Sequence, residues 1–346
     1  MTTSQSANFV PQDEAGRAGL KRDSRVIGAE GSPNCGEDAQ ALGPALFTQA
    51  SDPRTGLAGH DSATTSGKFA AAEYVRFYEQ APHASTDQLK LWYGRGQNFI
   101  VGYADAGAGA EISRDRQVDE YVVLVPDAAT EIEISWAGQR TTVPGASIVF
   151  VPAGDSVIRV TQPGRLVLMF TSRQADLRER CVNARSYLEP HPHIPPFQAW
   201  PEPEEGERVR QYRIDVPDEP GRFGRIWRCT TFMVNVLPPQ SGPRDTTKLS
   251  PHHHDTFEQG SFALDGTFTH HIRWPWTADL SDWRADEHTH CASPSLTVIP
   301  PPAIHTSRGM GEGENWLIDI FSPPRHDFSQ KAGWVLNESD YPMPSA

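Results

Sequence analysis

The sequence predicts an all-β protein made of two barrel-like or sandwich-like halves, and three observations carry that expectation. Its apolar runs are short, rich in β-branched and aromatic residues, and follow one another at turn-rich intervals. The chain holds 30 prolines and 28 glycines, which favours many turns and short elements over long helices. The order of features in the first half (strand, acidic segment, hairpin, strand ending in Pro-x-Gly, final strand) recurs in the second with histidines in the acidic segment's place, as a domain-scale duplication would leave it.

Length and composition agree with that plan. The 346 residues suffice for two cores of ordinary size, and 37% hydrophobic with 22% charged residues is the balance of a soluble globular protein. No run approaches the ~18–20 apolar residues of a membrane span, and Met1–Ser6 does not open a signal peptide, so a cytoplasmic location is expected. A net charge of −13 argues against nucleic acid as a partner, since phosphate backbones demand clustered Lys and Arg. Cys35, Cys181, Cys229 and Cys291 form no CxxC pair and read as reduced thiols.

Residues 1–67 lack sustained periodicity and are expected to form an irregular N-terminal arm, with Ala45-Leu46-Phe47 as a docking point on the body or on a neighbouring subunit. Lys68–Glu79 satisfies helical and strand periods about equally. Strands are expected over Asn98–Tyr103, Glu120–Val125, Thr130–Trp136, Ala146–Val151 and Arg165–Phe170, parted by Ala137-Gly138, Pro144-Gly145 and Pro163-Gly164 turns. Arg173–Tyr187 has room for a helix, whereas Pro190–Pro203 is too proline-rich for one and reads as a linker, with His191 and His193 on its surface. The second half adds Gly224–Leu237, a hairpin about Asp265-Gly266, an insertion over Pro275–Pro294, and strands Ser295–Ile299 and Asn315–Phe321. The division expected is an arm over 1–67, one domain over 68–189, a linker over 190–210, a second domain over 211–330 and a tail over 331–346.

The chemistry gathers in Ser250-Pro251-His252-His253-His254-Asp255-Thr256-Phe257-Glu258 and in Pro300-Pro301-Pro302-Ala303-Ile304-His305. In a strand, His252 and His254 leave the same face, Glu258 shares their parity, and His253 points away. His305, just past a turn-forming proline run, is within reach from an adjacent strand. Three imidazoles and a carboxylate suit a divalent transition ion and leave coordination positions open for chemistry. Hairpin parity puts His270 inward, as an acid–base group or a core histidine, and His271 outward. His288 and His290 read as exposed. Trp274, Trp276 and Trp283 read as packing of the insertion over the barrel end, ahead of lining a pocket for an apolar or aromatic substrate, and Arg225 and Arg228 as a solvated strand face, ahead of binding a substrate carboxylate.

These segments resemble the two motifs of the cupin superfamily. His252-x-His254-x-x-x-Glu258 with Gly266 is similar to the first, although Gly266 comes one residue late and the opening glycine is absent. Pro300-x-Pro302-x-x-His305 is similar to the second, with Pro302 in place of glycine and Gly309 where asparagine is common. Setting Glu120 against Glu258 puts Arg114 and Arg116 in the histidine positions of the first half and Val157 at the second-motif histidine. Arginine does not ligate a cation, so that half is expected to be metal-free. The resemblance implies a bicupin of two double-stranded β-helix (jelly-roll) barrels, the second holding one divalent metal at His252, His254, Glu258 and His305. It further implies a metal-dependent enzyme on a small-molecule substrate, foremost an Fe(II) dioxygenase using O2, with His270 as candidate catalytic residue. A Mn, Zn, Ni or Fe isomerase, lyase or hydrolase and a non-enzymatic binding cupin stand as alternatives, and homodimers or larger homo-oligomers are implied.

Overall fold

The computed structural model describes residues 68–277 and 279–344, so the N-terminal arm and Cys35 lie outside the described residues. Lys68–Glu79 resolves into strand β1 (Glu73–Arg76) and a single 3-10 turn. The first half continues with β2 (Ala84–Ser85), β3 (Leu89–Arg95), β4 (Phe99–Ala106), β5 (Glu111–Gln117), β6 (Tyr121–Val125), β7 (Glu131–Trp136), β8 (Gln139–Pro144), β9 (Ser147–Val151), β10 (Gly154–Gln162) and β11 (Gly164–Thr171). The second comprises β12 (Arg210–Arg213), β13 (Ile226–Arg228), β14 (Met233–Val236), β15 (Gln240–Ser241), β16 (Glu258–Asp265), β17 (Thr267–Arg273), β18 (Glu287–Ala292), β19 (Ser295–Ile299), β20 (Ile304–Gly309) and β21 (Glu314–Ser322). Arg173–Tyr187 holds only two single-turn pieces, Ala175–Arg178 and Ala184–Tyr187. Among the described residues no helix is long and apolar enough to cross a membrane.

Each half is a barrel of one large and one small antiparallel sheet. The first pairs β12-β9-β6-β11-β4-β3-β2 with β5-β10-β7-β8, and the second pairs β1-β19-β16-β21-β14-β13 with β18-β17-β20. The halves exchange edge strands: β1 pairs with β19 of the second barrel, and β12 with β9 of the first. Sheet membership thus differs from the division by sequence: β1, inside 68–189, joins the second barrel, and β12, at the junction of 190–210 with 211–330, joins the first.

Burial explains the strand patterns. β6, β9 and β19 are buried at every position, since one face lines a lumen and the other packs against the opposite barrel. Such two-sided strands read as continuous apolar runs. β7 and β10 alternate, because the small sheet's outer face meets solvent. Along β6, Val122 and Leu124 join a core shared with Val234, Phe262, Val298 and Ile320 of the second half, while Tyr121, Val123 and Val125 fill the first lumen. Phe262 lies 6.2 Å from Phe77 and 6.0 Å from Tyr103, ring to ring, and each such buried side chain contributes roughly 1.5–3 kcal/mol. Arg165 ties the barrels at the rim, pairing with Asp127 of its own half and, at 2.7 Å, with Asp265 of the other.

Two turns justify their glycines. Ala137 and Gly138 both have positive φ (48° and 75°), as the two-residue hairpin between β7 and β8 requires. At Gly266 (φ 81°) a Cβ would stand 2.5 Å from the Asn315 amide oxygen, so β16 turns into β17 only without a side chain there. The proline-rich stretch after Tyr187 has no regular structure but is not loose: Ile194 and Trp200 are buried, and the Trp200 amide donates to the Thr230 carbonyl.

Candidate metal centre in the second barrel

The histidine segment does not run on as a strand into Glu258. One bridge joins His252 to His305, with reciprocal backbone hydrogen bonds of 3.1 and 2.8 Å. The chain then bends through residues 253–257, and β16 begins only at Glu258. His252, His254 and His305 are buried and clustered, with ring centroids 4.5 Å apart for His252–His305, 5.1 Å for His254–His305 and 6.4 Å for His252–His254. Each Nδ1 faces a backbone carbonyl: Ser250 at 3.0 Å, Phe257 at 2.9 Å and Ala303 at 2.9 Å respectively. A carbonyl only accepts, so each Nδ1 carries the proton and each Nε2 keeps its lone pair. Burial, and then the charge of His305, hold His254 well below the ordinary histidine value, so it stays neutral.

Glu258 does not join them. The bend adds one residue to the register, so Glu258, like Phe262 and Leu264, faces the opposite barrel. Its carboxylate accepts the amides of Gln97 at 3.0 Å and Asn98 at 2.9 Å, at the turn between β3 and β4. Burial pushes this carboxyl up to about 7, against the downward pull of those two amides. Gln259 takes the lumen position. Its Oε1 lies 3.2 Å from Nε2 of His254 and 3.3 Å from Nε2 of His305. Its amide nitrogen donates to Ser261 Oγ at 3.0 Å and to Asp319 at 3.1 Å, which fixes which end of the amide faces the histidines. The signal for this was in the sequence: Gly266, one residue late when counted from Glu258, is in register when counted from Gln259.

Two imidazole lone pairs and an amide oxygen thus converge with no donor among them. Acceptors at that spacing repel unless a cation sits between them, and two donors bound cis to one ion at ~2.0–2.2 Å stand about 3 Å apart. The donor set therefore fits a divalent transition metal, with neutral ligands only. Among the described residues, no trio of His, Cys, Asp and Glu alone closes on one point. The amide is needed.

The centre floors a cavity of about 530 Å³. His252, Gln259, His305 and Asp319 form its polar end, Leu237, Phe268 and Leu317 its apolar wall, and Arg244 and Lys248 its rim. Arg244 donates to Ser250 Oγ at 3.0 Å and to the carbonyls of Ser307 and Lys248, which fastens the loop that presents His252. His270 is buried beside the set, its Nδ1 2.8 Å from Ser307 Oγ, and its Nε2 has no hydrogen-bond partner among the described residues. Burial, followed by the charge of His305, holds it down to about 3, so it too is neutral. Gln259, Asp319, Arg244 and Ser307 are the lumen residues that strand parity did not single out.

His253 faces out of the set, 3.9 Å from Asp255. The rings of His191 and His193 lie 5.6 Å apart and tilted to each other, with His193 against Phe69. Arg228 is not on a solvated face: it is buried and donates to the Tyr341 carbonyl, because the C-terminal segment covers β13. Arg225 pairs with Asp218. Of the tryptophans, Trp274 packs in the barrel end, whereas Trp276 and Trp283 stack on each other at 4.4 Å outside it. Cys181, Cys229 and Cys291 are free thiols.

In the first barrel the matching space is closed. Arg114 points into it and is held by Asp176 at 2.9 and 3.0 Å, Gln117 at 2.9 Å and Gln174 at 3.1 Å. Arg116, with φ 51°, turns outward to solvent. Val157 does not occupy the histidine position. A bulge in β10 pairs Ser156 with Arg114 and turns Ser156 inward, 2.9 Å from the Tyr121 hydroxyl. Tyr121 is the counterpart of Gln259, just as Glu120 is of Glu258. Glu120 likewise crosses to the other barrel, accepting the Thr230 amide at 3.0 Å, its hydroxyl at 2.8 Å and the Tyr341 hydroxyl at 2.6 Å.

No family model matches the sequence, and no curated protein does. Solved structures match in fold. A mutant of oxalate decarboxylase from Bacillus subtilis superposes with a TM-score of 0.52 and 10% identity, over 76% of this chain and 80% of that one. The oxalate decarboxylase of Lactobacillus farciminis, solved as a formate complex, superposes with a TM-score of 0.50 and 11% identity, over 76% and 89%. The chain carries the cupin fold twice, in the bicupin arrangement that its motifs resemble.

Proposed function

We propose that the protein is a divalent-metal-dependent enzyme that acts on a small organic anion in the lumen of the second barrel. His252, His254 and His305 would hold the ion through Nε2 and Gln259 through Oε1. The observation that carries this reading is the convergence of Nε2 of His254 and Nε2 of His305 on Gln259 Oε1, at 3.2 and 3.3 Å. A bound ion supplies Lewis-acid polarisation of a substrate oxygen, or redox chemistry if it is iron.

The donor set is neutral, so the ion keeps its full double charge and favours a ligand that brings negative charge, such as a carboxylate or enolate. Arg244 and Lys248 at the rim favour the same class of ligand as it enters. Asp319 orients Gln259, and His270 stands neutral beside His305 as a proton acceptor. Lewis-acid isomerase or lyase chemistry suits this set best, because neutral ligands stabilise the lower oxidation state of the ion. Fe(II) dioxygenation, implied by the motif resemblance, is the second reading, since imidazole ligands also suit iron.

The test is metal analysis of the purified chain, followed by turnover of a panel of small carboxylates with Mn, Zn or Fe(II), with and without O2. One lumen ion per chain and turnover indifferent to O2 are expected. Activity strictly dependent on Fe(II) and O2 would replace the Lewis-acid reading with the oxygenase one, and a chain that binds no ion would sink both.

A further inference from the structure

Three of the histidines read from the sequence as outward or exposed, His271, His288 and His290, share the outer face of the second barrel's small sheet. His271 of β17 stands directly opposite His288 of β18, and His290 stands opposite Thr269 one step along the same face. Nδ1 of His271 lies 2.8 Å from Nδ1 of His288, with ring centroids 4.9 Å apart and the planes at 62°. Alternation along β17 keeps this face apart from the lumen, into which His270 turns.

Two like nitrogens at that distance can share one proton, or both can bind one cation. At ~2.0–2.1 Å from a metal, two cis nitrogens stand about 3 Å apart, so the pair already has the span of a chelate. Of the nearby charges, Arg273 on the same strand donates through Nε and Nη2 to Asp286. Arg308, across β20, is the remaining cation of the face. A site of imidazoles without carboxylate or thiolate selects Cu(II), Ni(II) or Zn(II) over Mg(II), Ca(II) or Mn(II).

We propose that His271 and His288 form a second, solvent-facing site for a borderline divalent transition ion, with His290 on the same face as its neighbour imidazole. The site does not rest on the lumen reading, and it is tested separately from it. Cu(II) titration of the full chain, followed by electron paramagnetic resonance, is expected to show a Cu(II) species bound through two nitrogens that survives His254→Ala. His271→Ala and His288→Ala are each expected to weaken that species at least tenfold while leaving the lumen ion in place. In the wild type, bound Zn(II) is expected to shield His288 from acylation by diethyl pyrocarbonate, mapped by mass spectrometry, which gives a readout even if a variant folds poorly. The proposal is overturned if both variants keep the wild-type Cu(II) spectrum and affinity, if the species disappears in His254→Ala alone, or if Zn(II) leaves His288 acylation unchanged.

Discussion

The two barrels share a strand order, an exchanged edge strand and an inter-barrel glutamate, yet they fill their lumens in opposite ways. In the first, Tyr121, Ile132, Ile158 and Phe170 close the space, and the one charged side chain that enters, Arg114, brings its own partners in Asp176, Gln117 and Gln174. In the second, Gln259, Ser261 and Asp319 keep the floor polar, and Nε2 of His254 and of His305 both point at Gln259 Oε1. The difference teaches that a lumen with internally satisfied polar groups is finished on folding, whereas one with surplus acceptors waits for a ligand. It also separates two adjacent residues by role. Glu258 and its counterpart Glu120 each clamp a turn of the opposite barrel, while Gln259 and Tyr121 face inward.

The comparison can be broken most directly at the histidines. His254→Ala is expected to lower lumen metal affinity by more than about 100-fold and to remove turnover, measured by metal content and activity on the same sample. Next in size is the contrast between neighbours. Glu258→Ala leaves the Gln97 and Asn98 amides buried without an acceptor and is expected to cost about 2–5 kcal/mol in urea unfolding, with metal still bound by the folded fraction. Gln259→Ala should do the reverse, weakening metal about 10–100-fold with a stability change within about 1–2 kcal/mol. Equal effects of the two on metal binding would erase the distinction.

A smaller effect is expected on the first barrel. Installing histidine at Arg114 and Ser156 should create no metal site, because Arg116 faces solvent and Tyr121 offers no amide oxygen; metal content per chain is the measurement. The smallest concerns pH. The Arg114 hydrogen bond holds the Asp176 carboxyl below its ordinary value of 3.8, so the stability it adds is present above that value and is lost as pH falls through the folded-state value. Asp176 is partly exposed, so Asp176→Asn should cost at most about 1 kcal/mol at pH 7, and the difference between variant and wild type should shrink below about pH 4.

The sequence carried the fold well where burial and chain pattern coincide. Tyr121–Val125, Ser147–Val151 and Glu131–Trp136 show their two-sided or alternating burial directly in their residues. It carried β5 and β10 poorly, because Glu111–Gln117 and Gly154–Gln162 mix charged and apolar residues and lean on their neighbours for register. Parity for His252 and His254, and the proline run before His305, single out three histidines whose rings lie 4.5–6.4 Å apart. Parity failed at Glu258 because it assumed an unbroken strand, and one extra residue in a bend turns every following side chain to the other face.

By itself, then, the sequence determined an all-β chain of two related halves, three histidines able to meet, and a first half with arginine where the second has histidine. Those properties follow from residue type and local period, which need no partner to be read. Only the tertiary structure decided that Gln259 and not Glu258 faces the histidines, that Ser156 and not Val157 meets Arg114, and that His271 meets His288. Each depends on register between strands distant in sequence, and register is set by packing across the whole barrel.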